Sequence, residues 1–331
     1  MIAVLAFLGS GFVVVLAGVA LARHADDIAE LTGLGRIWIG STLLAAATSL
    51  PEAATGMAAV RFGAHDLAAG ELFGSCMANM FLLGIIDLVS RDLPVLRRAA
   101  LDHALSAALS MLLLAIATLF LLLRPAHTLF GVGSASMSLL LVYIAGARAL
   151  YRHNTREAPA PTETTRPAAA SASLRQALTR FAGAAAAILA AAPVFAWSAQ
   201  QIAESSGLGN TFIGTLLVGF STSLPEFVAS IAAVRAGALD MAVGNLFGSN
   251  ALNMALFFAL DMAEPGQGIF SNLDPGHALS ALLAMIMTSI ALAALFYRAK
   301  RRFAVIEPDS ALLVLSYLAG ICLLYSQAGV P

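Results

Sequence analysis

Apolar runs long enough to span a bilayer follow one another along nearly the whole chain. They extend from about Ile2 to Arg23, Ile37 to Val60, Leu67 to Val89, Ala99 to Leu123 and Thr128 to Leu150. After an interruption come Leu174 to Ala203, Thr211 to Val234, Met241 to Asp261, Ala278 to Tyr297 and Ala311 to Tyr325. The interruption, residues 154–173, is rich in Pro, Thr, Ala and Ser and has no apolar periodicity. It reads as a flexible tether, too short to hold a folded domain. The pattern predicts an all-α polytopic membrane protein of ten transmembrane helices, five on each side of the linker.

Composition agrees: 60% of the residues are hydrophobic and 11% are charged, more apolar surface than a soluble domain could cover. The net charge of -1 implies no large single-sign field, and neither a nucleic acid nor an obligate protein partner is indicated. Cys76 and Cys322 both lie in apolar stretches, so they read as free thiols in lipid-embedded helices, not as a disulfide framework. The opening Met-Ile-Ala-Val-Leu lacks a basic leader and reads as a retained first helix.

Basic residues orient the chain. With the N-terminus outside and every segment crossing, all of the 18 Lys and Arg residues except Arg61 and Arg124 fall inside. Reversing the topology or losing a crossing spoils this partition. Ten crossings, both termini outside, a cytoplasmic linker and a bacterial inner (cell) membrane are the expectation.

The chain also repeats itself. The stretch from Gly40, GSTLLAAATSLPEAATGMAAVRFGAHDLAAGELFGSCMANM, aligns without a gap to that from Gly214, GTLLVGFSTSLPEFVASIAAVRAGALDMAVGNLFGSNALNM, with about half the positions identical. The offset is 214 − 40 = 174, and it also pairs His103 with His277. Each copy spans five segments, so the second enters the membrane in the opposite sense. The expectation is two inverted five-helix repeats, residues 1–153 and 174–331, with broken helices at the centre, an arrangement typical of alternating-access transporters.

Glu52 and Glu226 lie about halfway along the second and seventh segments. An ionisable group there is costly unless it faces protein, water or an ion. Pro51 and Pro225 precede them, and a proline withholds a backbone donor, so carbonyls near Ala45, Thr48, Gly219 and Thr222 are expected to be freed. Thr48, Ser49 and Glu52 share a helical face, as do Ser75 with Asn79 and Ser249 with Asn253. A single Ser, Thr or Pro in a membrane helix usually serves packing. The doubled set, built only from oxygen donors, instead suits a hard cation such as Ca²⁺ or Na⁺. Two carboxylates would neutralise one Ca²⁺, or be shared among sodium ions or protons, which is the exclusive occupancy an antiporter needs.

The doubled Ser-Leu-Pro-Glu, followed by Gly-Asn-Leu-Phe-Gly-Ser-Asn-x-x-Asn in the second copy, resembles the alpha repeats of the sodium/calcium exchanger branch of the calcium/cation antiporter superfamily. The resemblance covers most of the chain outside the linker. It implies a secondary transporter without covalent chemistry or cofactor, exchanging Ca²⁺ for Na⁺ or, in some branches, for H⁺. Carried over, it implies that Glu52 and Glu226 bind calcium with the Thr48 and Thr222 carbonyls. Ser49, Ser75, Ser223 and Ser249, with the Ala45 and Gly219 carbonyls, would serve flanking sodium sites, and Asn79 and Asn253 would line the centre. An Asp at the position of Asn253 is typical of potassium-dependent relatives, so its absence disfavours potassium co-transport.

The first copy departs from the pattern, reading Gly70-Glu71-Leu72-Phe73-Gly74-Ser75-Cys76. Glu71 either draws cations into an outer vestibule or is a solvated residue at a helix start. Cys76 replaces an amide with a softer ligand and opens the question of ion selectivity. Gly70, Gly74, Gly244 and Gly248 suit close helix approach or local unwinding. His103 and His277 read as interfacial capping residues, and the matched Asp87 and Asp261 as exposed or anchoring ones. His24, His65, His127 and His153 need no special role. A proton-coupled antiporter of the same fold, a carboxylate-dependent intramembrane hydrolase and a passive channel are the competing readings.

Overall fold

The computed structural model describes residues 2–89, 95, 102–157, 173–205, 222–266, 268–297 and 308–327. Among them, eight helices are long and apolar enough to cross a membrane: α1 Ile2–Thr32, α4 His65–Val89, α5 His103–Leu123, α6 Ser134–Glu157, α7 Leu174–Ser205, α9 Leu239–Ala263, α11 His277–Tyr297 and α12 Pro308–Gln327. A ninth span is broken, Arg36–Thr48 (α2) and Leu50–Arg61 (α3) meeting at 42°. The segment expected from Thr211 to Val234 falls partly outside the described residues, and its described part is α8, Leu224–Arg235. A short α10 covers Ile269–Asn272. The chain is thus a polytopic, mostly helical membrane protein.

Three expected boundaries need correction. α1 runs on past Arg23 to Thr32, because its polar last turns are paired. Arg36 takes Asp26 through Nε at 2.5 Å and Nη2 at 3.1 Å, and Glu30 at 3.2 Å. The fifth span does not start at Thr128. Thr128–Leu129 and Val132–Gly133 form a two-stranded hairpin, turned by Phe130 and Gly131 with φ of 54° and 82°, as a two-residue hairpin turn demands. The helix then starts at Ser134 and continues through Asn154 to Glu157, so the first linker residues are helical; 158–172 lie outside the described residues.

α4 and α9 form the middle and are buried along most of their length. α4 packs on α11 and α12, and α9 on α5 and α6, so each central helix is wrapped by helices from the other side of the linker. α1 and α7 pair with each other and touch the rest mainly through α2, α3 and α8. The outer faces are apolar: Leu5, Leu8, Phe12 and Leu16 of α1 are exposed at helical spacing, as a lipid-facing stripe requires.

Conserving the offset of 174, paired contacts fasten the ends. His103 Nε2 lies 3.1 Å from Asp240, and His277 Nε2 lies 3.1 Å from Asp66. His103 is fully buried, so the interfacial capping expected of it is wrong. Each ring opens its helix but binds the first turn of a central helix instead. Asp87 and Asp261 are anchors, both buried. Asp87 receives the Ser310 hydroxyl at the start of α12, and Asp261 the Gly133 N–H just before α6, where the helix start favours an anion.

In α2 the turn Ile39–Leu44 is π-helical, a single-turn form frequent at functional sites. It lies backbone against backbone on α9. A Cβ on Gly40 would sit 2.5 Å from the Met241 carbonyl oxygen, and one on Gly248 would overlap the Ser41 backbone. Gly248→Ala is therefore expected to lower stability by about 1–3 kcal/mol, read as a fall in the thermal unfolding midpoint in detergent. Gly183→Ala, with nothing within 4 Å, should not lower it. Equal midpoints for Gly248→Ala and the parent would show that the close approach is not needed.

Candidate functional site

The site forms where the broken span and α8 meet the central helices. The break between α2 and α3 falls on the serine of Thr-Ser-Leu-Pro-Glu, Ser49 with φ −86°, ψ 8°, and the matched Ser223, just before α8, has nearly the same backbone, φ −83°, ψ 2°. Both are followed by a helix with proline in its first turn, where a missing N–H costs nothing. Glu52 and Glu226 lie in those first turns, and both are completely buried.

Hydroxyl and amide groups of both halves surround them. The Ser49 hydroxyl donates to Glu226 Oε1 at 3.1 Å, and the Ser75 hydroxyl to Glu52 Oε1 at 3.4 Å. Ser223 donates to the Ser75 hydroxyl at 3.2 Å, as does Asn253 Nδ2 at 3.1 Å. Asn79 donates its Nδ2 to Asn250 Oδ1 at 2.9 Å. Glu52 lies within electrostatic reach of Glu226. Thr48, Thr222, Ser249 and Ala45 are buried in the same region, and Gly219 lies outside the described residues.

The Ala45 carbonyl is not freed. It accepts the Ser49 N–H at 3.0 Å and the Thr48 hydroxyl at 3.3 Å. Pro51 withholds its donor from the carbonyl four residues back, that of Ala47, whereas Ala45 is within reach of Ser49.

The acceptors left over are informative. Glu52 Oε2, Glu226 Oε2, Asn79 Oδ1, Asn253 Oδ1 and Ser249 Oγ are buried with no hydrogen-bond partner among the described residues. An unpaired buried carboxylate oxygen is costly in an apolar interior. Asn79 and Asn253 are both held through their NH₂ groups, which leaves the oxygens for another partner. All five leftover atoms are oxygens, and among the described residues no three His, Cys, Asp or Glu converge. This donor set fits a hard cation rather than a soft one.

Cys76 borders this set, its Sγ lying 4.0 Å from Asn253 Nδ2, which donates to it. Its Sγ faces the Asn250 carbonyl at 3.7 Å while Asn250 Nδ2 donates to the Cys76 carbonyl at 3.2 Å. The two matched positions thus bond each other where α4 crosses α9, and Cys76 is buried in protein, whereas Cys322 is exposed. Asn245 was absent from the expected site, yet it binds two of its parts, Glu226 and Thr48, and Ser230 beside them. It donates to Ser230 at 3.0 Å and to the Glu226 carbonyl at 3.4 Å, and accepts from Thr48 at 3.3 Å. Its signal in the sequence was that its matched position, 245 − 174 = 71, carries Glu71. Glu71 is not at a helix start; it stands in the second turn of α4, half-buried, with the Thr55 hydroxyl 2.5 Å from its Oε1.

Comparison with known proteins adds to this. Residues 2–148 and 177–326 match the family model described as sodium/calcium exchanger protein. The chain is 28% identical over 280 residues to a protein of Alkalimonas amylolytica named as an antiporter, CaxA, covering 81% of this chain and 83% of that one. To the inner membrane protein YrbG of Escherichia coli it is 27% identical over 298 residues, covering 83% and 82%. A solved structure of the sodium-calcium exchanger NCX_Mj superposes with a TM-score of 0.72 at 22% identity, over 97% of this chain and 98% of that one. At that identity the likeness is one of fold.

Proposed function

The chain belongs to the sodium/calcium exchanger family and is a cation antiporter, a secondary transporter and not an enzyme, and we propose that it exchanges Ca²⁺ for Na⁺ at the site between Glu52 and Glu226. Family membership sets aside the intramembrane hydrolase and the passive channel. What carries the proposal is the set of five buried oxygens without hydrogen-bond partners among the described residues. Two carboxylates match the charge of one Ca²⁺, and neutral amide and hydroxyl oxygens extend the shell toward the six to eight ligands Ca²⁺ takes.

Glu52 and Glu226 would hold Ca²⁺ with the Thr48 and Thr222 carbonyls. Ser49, Ser75, Ser223 and Ser249, with the Ala45 and Gly219 carbonyls, would serve sodium, and Asn79 and Asn253 would line the centre. For Ala45 this requires that the carbonyl exchange a hydrogen bond for an ion. Because both kinds of ion need the same carboxylates, binding of one excludes the other, and that exclusion couples the fluxes.

Two inverted repeats, ten crossings and outside termini complete the reading, supported by the charge partition and by the matched His–Asp contacts. The site side chains have almost no exposure, so ions must enter through a rearrangement. The α1–α7 pair, which touches the rest mainly at α2, α3 and α8, is suited to slide as a unit and open one face at a time.

Calcium uptake into proteoliposomes under an imposed outward sodium gradient tests this. Uptake should follow the sodium gradient and vanish when it is collapsed. Uptake indifferent to sodium but driven by a proton gradient would replace this reading with the proton-coupled one.

A further inference from the structure

One carboxylate remains outside this scheme. Thr55 Oγ1 lies 2.5 Å from Glu71 Oε1 and 2.8 Å from the Pro51 carbonyl oxygen, with the Glu52 carbonyl at 3.4 Å. A threonine hydroxyl has one proton. The Pro51 carbonyl is an acceptor only, and so is an ionised carboxylate, so one proton cannot serve both short contacts. A second proton, on Glu71 Oε1 and donated to Thr55 Oγ1, closes the chain from Glu71 through Thr55 to Pro51. A separation of 2.5 Å between the two oxygens is the length of a short O–H···O hydrogen bond. Threonine bonding back to the carbonyl four residues earlier is a normal helix geometry.

We propose that Glu71, with Thr55 and the Pro51 carbonyl, is a proton-binding site of this transporter, and that its proton is released when a divalent cation occupies the central site. The second half has no equivalent. Position 245 is an amide satisfied by neutral partners, Ser230, Thr48 and the Glu226 carbonyl, and the position matching Thr55 is Ala229.

The coupling is electrostatic. Of the titratable groups on the elements around α4, Glu52 of α3 is within electrostatic reach of Glu71 and also of Glu226 of α8. His277 of α11 stands against Gly70 and is paired with Asp66. Asp240 and Asp261 of α9 are engaged at its two ends, and Asp309 of α12 is beside Asp87. A cation at Glu52 favours the ionised form of Glu71, and the ionised form favours the cation. The proton's existence does not depend on calcium being the substrate, whereas its release by calcium rests on the central-site reading.

Two measurements test this on the purified protein in detergent. Infrared difference spectra at neutral pH should show a protonated-carboxyl stretch in the wild type that is lost in Glu71→Gln and shifted in Thr55→Val. A wild-type spectrum without that band, or a band untouched by both substitutions, overturns the site. In weak buffer, calcium addition should release about one proton fewer per ion bound in Glu71→Gln. The pH dependence of apparent calcium affinity should flatten correspondingly, by up to about tenfold per pH unit. Equal release from both proteins overturns the coupling. Glu71→Asn, which installs the residue of position 245, repeats the test if Gln is not tolerated. Absence of any calcium binding in the wild type would instead count against the central site, and the infrared result would still decide Glu71.

Discussion

Glu52→Gln is expected to abolish calcium exchange and at the same time to leave the protein as stable as before, or more so. Glutamine has the shape of glutamate without its charge. In the exchange cycle the loss is large, because a divalent ion would face a single carboxylate in a site buried from water. Removing one member of a buried charge pair costs roughly 3–5 kcal/mol, on the order of a hundredfold or more in affinity. In the ion-free protein the sign reverses, since Glu52 Oε2 and Glu226 Oε2 are buried without partners among the described residues and two nearby carboxylates repel. The measurement is paired: sodium-dependent calcium uptake in proteoliposomes, and the unfolding midpoint with and without calcium. The parent should be stabilised by calcium in proportion to its occupancy. Glu52→Gln and Glu226→Gln should show neither uptake nor stabilisation. Undiminished exchange in both variants would mean that the central site lies elsewhere.

How much of this was readable beforehand differs between fold and site. Spans are legible because their length is set by the bilayer, not by contacts with distant residues. Their ends are less so. Hydropathy drops at His24, Asp26, Asp27 and Glu30, yet the helix continues to Thr32, because Arg36, across a turn, satisfies Asp26 and Glu30. Nor does hydropathy reveal the hairpin in Thr-Leu-Phe-Gly-Val-Gly, whose residues are as apolar as a helix start.

For the site, the repeat offset marked Glu52, Glu226 and their neighbours, since matched polar residues in apolar segments stand out. It could not tell that Asn250 binds Cys76 and Asn79 across 174 and 171 positions of chain. Nor could it tell that Asn245 braces Thr48 from the other half. Those partners are set by the crossing of α4 and α9, and a one-dimensional pattern holds no crossing geometry. The mismatch of Glu71 with Asn245 was visible, but its meaning depended on Thr55 and Pro51, one of them without a polar counterpart in the second half.

The other large effect concerns stability alone. Asp261→Ala is expected to destabilise the protein by roughly 2–4 kcal/mol, because it strands two backbone donors in a buried place. The Asp261 carboxylate accepts the Ile269 N–H at 2.5 Å and the Gly133 N–H at 3.1 Å. It therefore sits at the start of α10 and just before α6 at once, where both exposed amide groups and helix dipoles favour a negative charge. Asp261→Asn keeps one acceptor but turns a donor toward the other N–H, so it should recover only part of the loss. The midpoint of thermal unfolding should rank the parent above Asn and Asn above Ala. Calcium affinity of the folded Asn variant should be unchanged, in contrast to Glu52→Gln. A ranking in which Ala equals the parent would remove the anchor. Loss of calcium affinity without loss of stability would mean that this carboxylate, too, serves the ion.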